Sequence, residues 1–123
     1  MSRQPSHTLK VITEDALLTA VLELAARLGW LCYHARPAET GKGWRTAAQG
    51  NGAKGFPDCV LAHPKQRRLL FVELKAKGGR LSPAQVDWLD TLTDTACCEP
   101  YCWNVDDWTD GTVEMTLRAG PDG

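Results

Sequence analysis

Apolar residues near the start of the chain recur at intervals of three and four. Leu18, Val21, Leu22, Ala25 and Leu28 predict an amphipathic helix over Thr13 to Leu28. Thr13 is a good N-cap, Glu14 and Asp15 suit the positive end of the helix dipole, and Gly29 is a residue that ends helices. Trp30 to Ala35 predicts a short strand. Two further apolar runs, Asp58 to Ala62 and Leu69 to Lys75, flank Pro64-Lys65-Gln66-Arg67 and predict a β-hairpin. Gly78-Gly79 breaks the chain. Ser82-Pro83-Ala84-Gln85 then opens a second helix: Ser82 caps it, Pro83 suits its first turn, and Gln85 can close a capping box. Trp88, Leu89 and Leu92 give that helix an apolar side, and it should run to about Thr93. Pro100 to Val105 predicts an edge strand, and the alternation Val113, Met115, Leu117 predicts a further short strand. The order α-β-β-β-α-β describes an α/β domain with a mixed sheet.

One stretch breaks this pattern. Arg36 to Gly55 holds Gly41, Gly43, Gly50, Gly52 and Gly55, with Arg36, Lys42, Arg45 and Lys54 against Glu39 alone. It reads as a long, flexible, basic loop, and loops of this length are uncommon in compact domains and are usually functional or disordered.

The chain has 123 residues, which suits one domain over 1–123, with a core over about 13–105 and an acidic segment over 106–123. Hydrophobic residues at 43% and charged residues at 24% exclude a disordered chain. No apolar run approaches the roughly 18 residues that span a bilayer. Met1 to Lys10 lacks the apolar centre of a signal peptide, so the expected location is the cytoplasm, with no membrane partner. Cys32, Cys59, Cys97, Cys98 and Cys102 suggest no disulfide framework, and without any Cys-x-x-Cys they argue against a zinc site.

The formal net charge of -1 at first argues against nucleic acid. Placing the charges changes that picture. Residues 1–86 hold 13 basic and 6 acidic residues, a balance of +7, whereas residues 87–123 hold Arg118 and 9 acidic residues, a balance of -8. A polyanion responds to fields within about 8–10 Å, not to a whole-chain average.

The candidate chemistry lies on the hairpin. Side chains alternate along a strand, so Phe71, Glu73 and Lys75 share one face while Leu70, Val72 and Leu74 share the core face. A hairpin centred between residues 65 and 66 sets Asp58 opposite Glu73, with Cβ atoms about 4.5–5.5 Å apart. Two carboxylates that close repel unless a cation joins them, and a divalent metal would do so. Lys75 beside them is placed to orient or deprotonate a water, or to steady developing charge. Glu14 lies at the centre of the apolar stripe of the first helix, where an acid needs a partner, while Glu23 is half a turn away and faces solvent. Each residue also has an ordinary reading. Glu73 and Lys75 would be an ion pair on an exposed edge strand, Asp58 a turn residue after Pro57, Gln85 only a cap, and Glu14 only a complement to the helix dipole.

The residues Gly55-Phe56-Pro57-Asp58, Val72-Glu73-Leu74-Lys75 and Gly79-Arg80-Leu81-Ser82-Pro83-Ala84-Gln85 resemble the PD-(D/E)xK nuclease superfamily, and within it the VRR-NUC branch. That branch is marked by a glycine before Pro-Asp, a Glu-x-Lys strand and a Ser-x-x-Gln opening a helix. The resemblance covers about residues 13 to 105. It implies a restriction-endonuclease-like core, a mixed sheet flanked by helices, with Mg²⁺ or Mn²⁺ at one end. It implies Asp58, Glu73 and the Leu74 carbonyl as metal ligands, Lys75 as the catalytic lysine, Gln85 as the helix glutamine near the metal, and Glu14 as the first-helix acid. Compact stand-alone members, often virus-encoded, are similar to Holliday-junction resolvases and act as homodimers, while larger members cut flaps.

The expected function is therefore metal-dependent, structure-selective hydrolysis of DNA, with branched DNA and a second copy of the chain as partners and no small-molecule cofactor. Arg36, Lys42, Arg45, Lys54 and Arg80 would hold backbone phosphates, which position DNA without reading sequence. The rivals are a flap or general DNA nuclease of the same fold, a non-catalytic DNA-binding module, and an interaction protein that works through its acidic segment.

Overall fold

The computed structural model describes residues 13–35, 38–40, 43–45, 49–95 and 97–119. Helix α1 is Glu14–Arg27. The Thr13 hydroxyl accepts from the Ala16 N–H at 3.0 Å, and Gly29 follows the helix with φ +95°, in the left-handed region. Leu17, Val21 and Ala25 are its fully buried face. Strand β1 is Leu31–His34.

Residues between β1 and the hairpin are not all loop. Strands β2 (Ala38–Thr40) and β3 (Gly43–Arg45) form an antiparallel pair in which Thr40 lies opposite Gly43. This corrects the expectation of an unstructured Arg36–Gly55 segment.

The main hairpin is β4 (Cys59–His63) and β5 (Arg68–Leu74). Its register pairs Cys59 with Val72, Leu61 with Leu70 and His63 with Arg68, as the turn at Pro64–Arg67 predicted. Helix α2 (Pro83–Thr95) then crosses to β6 (Glu99–Trp103), which lies parallel to β5. A parallel neighbour needs such a crossover. The four strands run β1-β4-β5-β6, with β1 and β6 at the edges. This is the expected α/β arrangement, a mixed sheet flanked by helices as in a restriction-endonuclease-like core.

Two short helices close the described chain, α3 (Val105–Thr109) and α4 (Thr112–Ala119). Asn104 and Asp107 form a reciprocal capping box that starts α3. The expected strand at Val113–Leu117 is thus a helix. Val113 and Leu117 are both fully buried, one turn apart, while Met115 between them is 62% exposed. The expected core boundary at residue 105 is corrected as well, because Val113 and Leu117 join the main cluster with Leu17, Val21, Leu61, Leu70 and Trp103. The last turn of α4 is fastened by donors to its free carbonyls. Trp30 Nε1 donates to Leu117 O at 3.0 Å, Gln66 Nε2 to Leu117 O and Arg118 O, each at 3.2 Å, and Arg68 Nη1 to Thr116 O at 2.8 Å. Arg68 also grips the Glu99 carboxylate with two hydrogen bonds of 2.8 and 2.7 Å and lies over the Trp30 ring.

Helices α1 and α4 cover the sheet face of Leu70, Val72 and Leu74, and α2 covers the opposite face beside β5 and β6. No described helix is long and apolar enough to cross a membrane.

Candidate active site

The site forms where β4 begins and β5 ends. Asp58 immediately precedes β4, so the ladder that pairs Cys59 with Val72 brings it level with Glu73. Asp58 is fixed twice. Its Oδ2 accepts from the Leu74 N–H at 2.8 Å, and its backbone carbonyl accepts from His34 Nδ1 at 2.8 Å. The second bond sets the His34 tautomer, since a carbonyl can only accept.

Glu73 is 2% exposed, in a strand flanked on both sides. An exposed edge-strand ion pair is therefore not what Glu73 and Lys75 make. Glu73 Oε2 accepts from Gln85 Nε2 at 2.8 Å, and Lys75 Nζ lies 3.6 Å from the same oxygen. Glu73 Oε1 is buried and has no hydrogen-bond partner. Burial pushes the Glu73 carboxyl up to about 7, and the nearby Asp58 and Glu14 charges add to this against the opposing pull of Lys75.

Gln85 is held in place by the cap it helps to build. Its Oε1 accepts from the Ser82 N–H at 2.8 Å, and Ser82 Oγ accepts from the Gln85 N–H at 3.2 Å. The amide oxygen is thereby committed to the helix start, which leaves Nε2 to face Glu73. The capping role and the site role are the same arrangement.

Glu14 is exposed rather than enclosed by the apolar stripe, and it lies close enough to Asp58 and Lys75 for their charges to act on it. Partial desolvation raises its carboxyl above the ordinary range, the Asp58 charge adds to this, and Lys75 and the Ala76 N–H oppose it. The first turn of α1 therefore sits at the rim beside Asp58 and Lys75. Glu23 is exposed on the far side of α1, as its spacing predicted.

These residues fit a hard divalent cation. Two carboxylates face each other, one of them carries a buried oxygen with no protein donor, and Lys75 stands beside it. Among the described residues no three His, Cys, Asp or Glu side chains group closely enough to enclose an ion. A cation here would take the two carboxylates and complete its shell with carbonyl, water or phosphate oxygens, as Mg²⁺ does. All five cysteines are free.

Of the expected DNA contacts, Lys54 and Arg80 are exposed, while Arg36, Lys42 and the Arg45 side chain lie outside the described residues. The basic balance of the first 86 residues does not all serve this end of the molecule. Lys65, Arg67 and Arg68 sit at the hairpin turn, at the opposite end of β4 and β5 from Asp58 and Glu73, and Arg68 is spent on Glu99.

Two residues near the site were not assigned a role from sequence. His34 anchors the Asp58 backbone, and the signal for it was the pairing of β1 with β4, which sets His34 against Cys59. Trp88 was read only as part of an apolar helix side, yet its Nε1 donates to Gly52 O at 2.7 Å, and Phe56 packs edge-on against its ring at 5.0 Å.

The sequence pattern of the VRR-NUC domain matches residues 26–105, a stretch that contains Asp58, Glu73, Leu74, Lys75 and Gln85 but not Glu14. The chain is 38% identical over 52 residues to a Fanconi-associated nuclease 1 homolog of Caenorhabditis elegans, covering 42% of this chain and 6% of that protein. It is 39% identical over 61 residues to the homolog of Pseudomonas aeruginosa, covering 47% of this chain and 11% of that protein. It therefore spans only a small part of the length of these relatives. No solved structure gave a significant match. With a domain pattern that takes in the whole of the main sheet and the helix carrying Gln85, the chain belongs to the VRR-NUC domain family.

Proposed function

We propose that this protein is a metal-dependent DNA endonuclease, selective for branched structure, that resolves four-way junctions as a homodimer. The observation that carries the reading is the pairing of Asp58 with a buried Glu73 whose Oε1 has no protein partner, beside Lys75. Family membership and the nuclease names of the relatives support the reaction class.

Asp58, Glu73 and the Leu74 carbonyl would hold Mg²⁺ or Mn²⁺. The Leu74 N–H already points at Asp58, and a strand residue's N–H and C=O lie along the same edge. The bound metal would supply Lewis-acid polarisation of the scissile phosphate and a more acidic water. Lys75 Nζ orients the attacking water and steadies charge on the phosphate. Gln85 Nε2 holds the Glu73 carboxylate in one rotamer. Glu14, at the rim, adds a third negative charge that favours a cation. Lys54 and Arg80, with Arg36, Lys42 and Arg45, bind backbone phosphates, so cleavage depends steeply on salt and little on sequence. Two symmetric cuts in a four-way junction require two sites, which a two-fold dimer provides.

The test compares a four-way junction, a flapped duplex and a linear duplex, each with and without Mg²⁺ or Mn²⁺, and adds sedimentation with and without DNA. Paired cuts in the junction by a dimer support the whole reading. Equal cutting of all three substrates leaves a nuclease but removes the resolvase, flap cutting alone moves the substrate class, and a monomer in both states removes the dimer. No metal-dependent cutting of any DNA overturns the reading.

A further inference from the structure

We propose that Trp88 is a positioning residue that seats the segment carrying Asp58, so that helix α2 sets both carboxylates of the site at once. This rests on the metal-site reading above and extends it to a residue that touches neither carboxylate.

Gln85 holds Glu73 directly at 2.8 Å. Three residues further along, Trp88 presents its indole to the segment that leads into Asp58. Trp88 Nε1 donates to Gly52 O at 2.7 Å, and a Cβ built on Gly52 would stand 2.8 Å from Trp88 Cζ2. One turn before Trp88, Ala84 meets the same segment at Gly55, where φ is +86° and a Cβ would fall 2.6 Å from the Ala84 carbonyl carbon. Two glycines therefore let the backbone lie directly on one face of α2, and neither position has room for a side chain.

Phe56 completes the link. Its ring meets Trp88 edge-on at 5.0 Å and Phe71 edge-on at 6.1 Å. Phe71 lies two residues before Glu73 on the same face of β5, and Phe56 lies two residues before Asp58. The aromatic trio thus ties the approach to Asp58, the strand of Glu73 and the helix of Gln85 into one packed unit. Asp58 can meet the Leu74 N–H only if the segment before it arrives in register, and no other described side chain donates a hydrogen bond to the 49–57 backbone.

The experiment reads Mn²⁺ affinity by electron paramagnetic resonance, independently of cleavage. The proteins compared are the wild type, Trp88→Phe, Gly52→Ala and the double variant. Trp88→Phe keeps a ring against Phe56 but loses the N–H donor and the Cζ2 atom. We expect Trp88→Phe and Gly52→Ala each to weaken Mn²⁺ binding by about tenfold, the low end for outer-sphere partners of a metal site. In the Trp88→Phe background, Gly52→Ala should cause little further loss, because the atom it collides with is gone. Near-UV circular dichroism checks that each variant is folded at the assay temperature.

A purely structural role predicts lower melting temperatures with unchanged Mn²⁺ affinity per folded molecule, and that result overturns the proposal. Independent, additive losses from the two substitutions overturn it too. A wild type that binds no Mn²⁺ overturns the metal-site reading itself, a different outcome from variants that bind as well as the wild type does.

Discussion

The buried Glu73 should make the metal-free protein less stable at the pH where it works, and Glu73→Gln should reverse this. In the folded chain its carboxyl is raised from 4.5 to about 7. The folded state therefore keeps a proton that the unfolded chain releases. Stability from this group is fully present below pH 4.5 and is lost as pH rises through about 7. At 1.36 kcal/mol per unit, the shift corresponds to about 3 kcal/mol withheld from the folded state at pH 8. Glutamine has nearly the same shape as the protonated acid. It can accept from Gln85 Nε2 and donate toward Asp58, so it should not carry the penalty. We expect Glu73→Gln to match the wild type near pH 4.5 and to exceed it by about 3 kcal/mol at pH 8 in EDTA, a gain of about 10 °C in melting temperature. Urea unfolding at the two pH values measures the difference. Because Glu14 titrates in the same direction, the comparison between the two proteins isolates Glu73 where the total slope does not. Saturating Mg²⁺ should restore the wild type at pH 8 and leave the variant almost unchanged, since only the wild type gains binding energy in the folded state. The reasoning is refuted if the variant is less stable than the wild type at pH 8, or if their difference is the same at both pH values.

Further expectations concern the two ends of β5. Lys75→Ala should lower the rate of DNA cleavage by about 10²–10⁴-fold while Mn²⁺ binding measured by paramagnetic resonance persists, because the lysine acts on water and phosphate rather than on the metal. Arg68→Ala removes the paired bonds to Glu99 and the donor to the Thr116 carbonyl, and should cost about 2–4 kcal/mol in urea unfolding. Since Arg68 lies about 17 Å along the strand from Glu73, cleavage per folded molecule should be unchanged in that variant.

Local chemistry made much of this architecture legible. Thr13 and Gly29 bound α1, the Pro64–Arg67 turn fixes the hairpin register, and that register alone sets Asp58 against Glu73. Ser82, Pro83 and Gln85 start α2 where expected, although it runs on to Thr95. What was not legible depends on contacts between distant parts of the chain. Alternation put Glu73 on the outer face of its strand, and only the crossing of α2 buries it. Val113 and Leu117 satisfy a strand period and a helix period equally. The choice is made by docking against Trp30, Gln66 and Arg68, which leaves Met115 in solvent. β2 and β3 are three residues each, too short for any period to register. The charge split at residue 86 could not show that Arg68 would be paired with Glu99 at the far end of the sheet.

The central claim is that Asp58 and Glu73 together support metal-dependent cleavage of DNA. The most direct measurement is the initial rate of cleavage of one labelled four-way junction by the wild type and by Asp58→Asn, across a Mg²⁺ titration that begins in EDTA. We expect no cutting by either protein in EDTA, saturable cutting by the wild type as Mg²⁺ rises, and loss of cutting in the variant despite unchanged binding of the junction. Cutting by the wild type in EDTA, or an Asp58→Asn protein that cleaves at the wild-type rate, would contradict it.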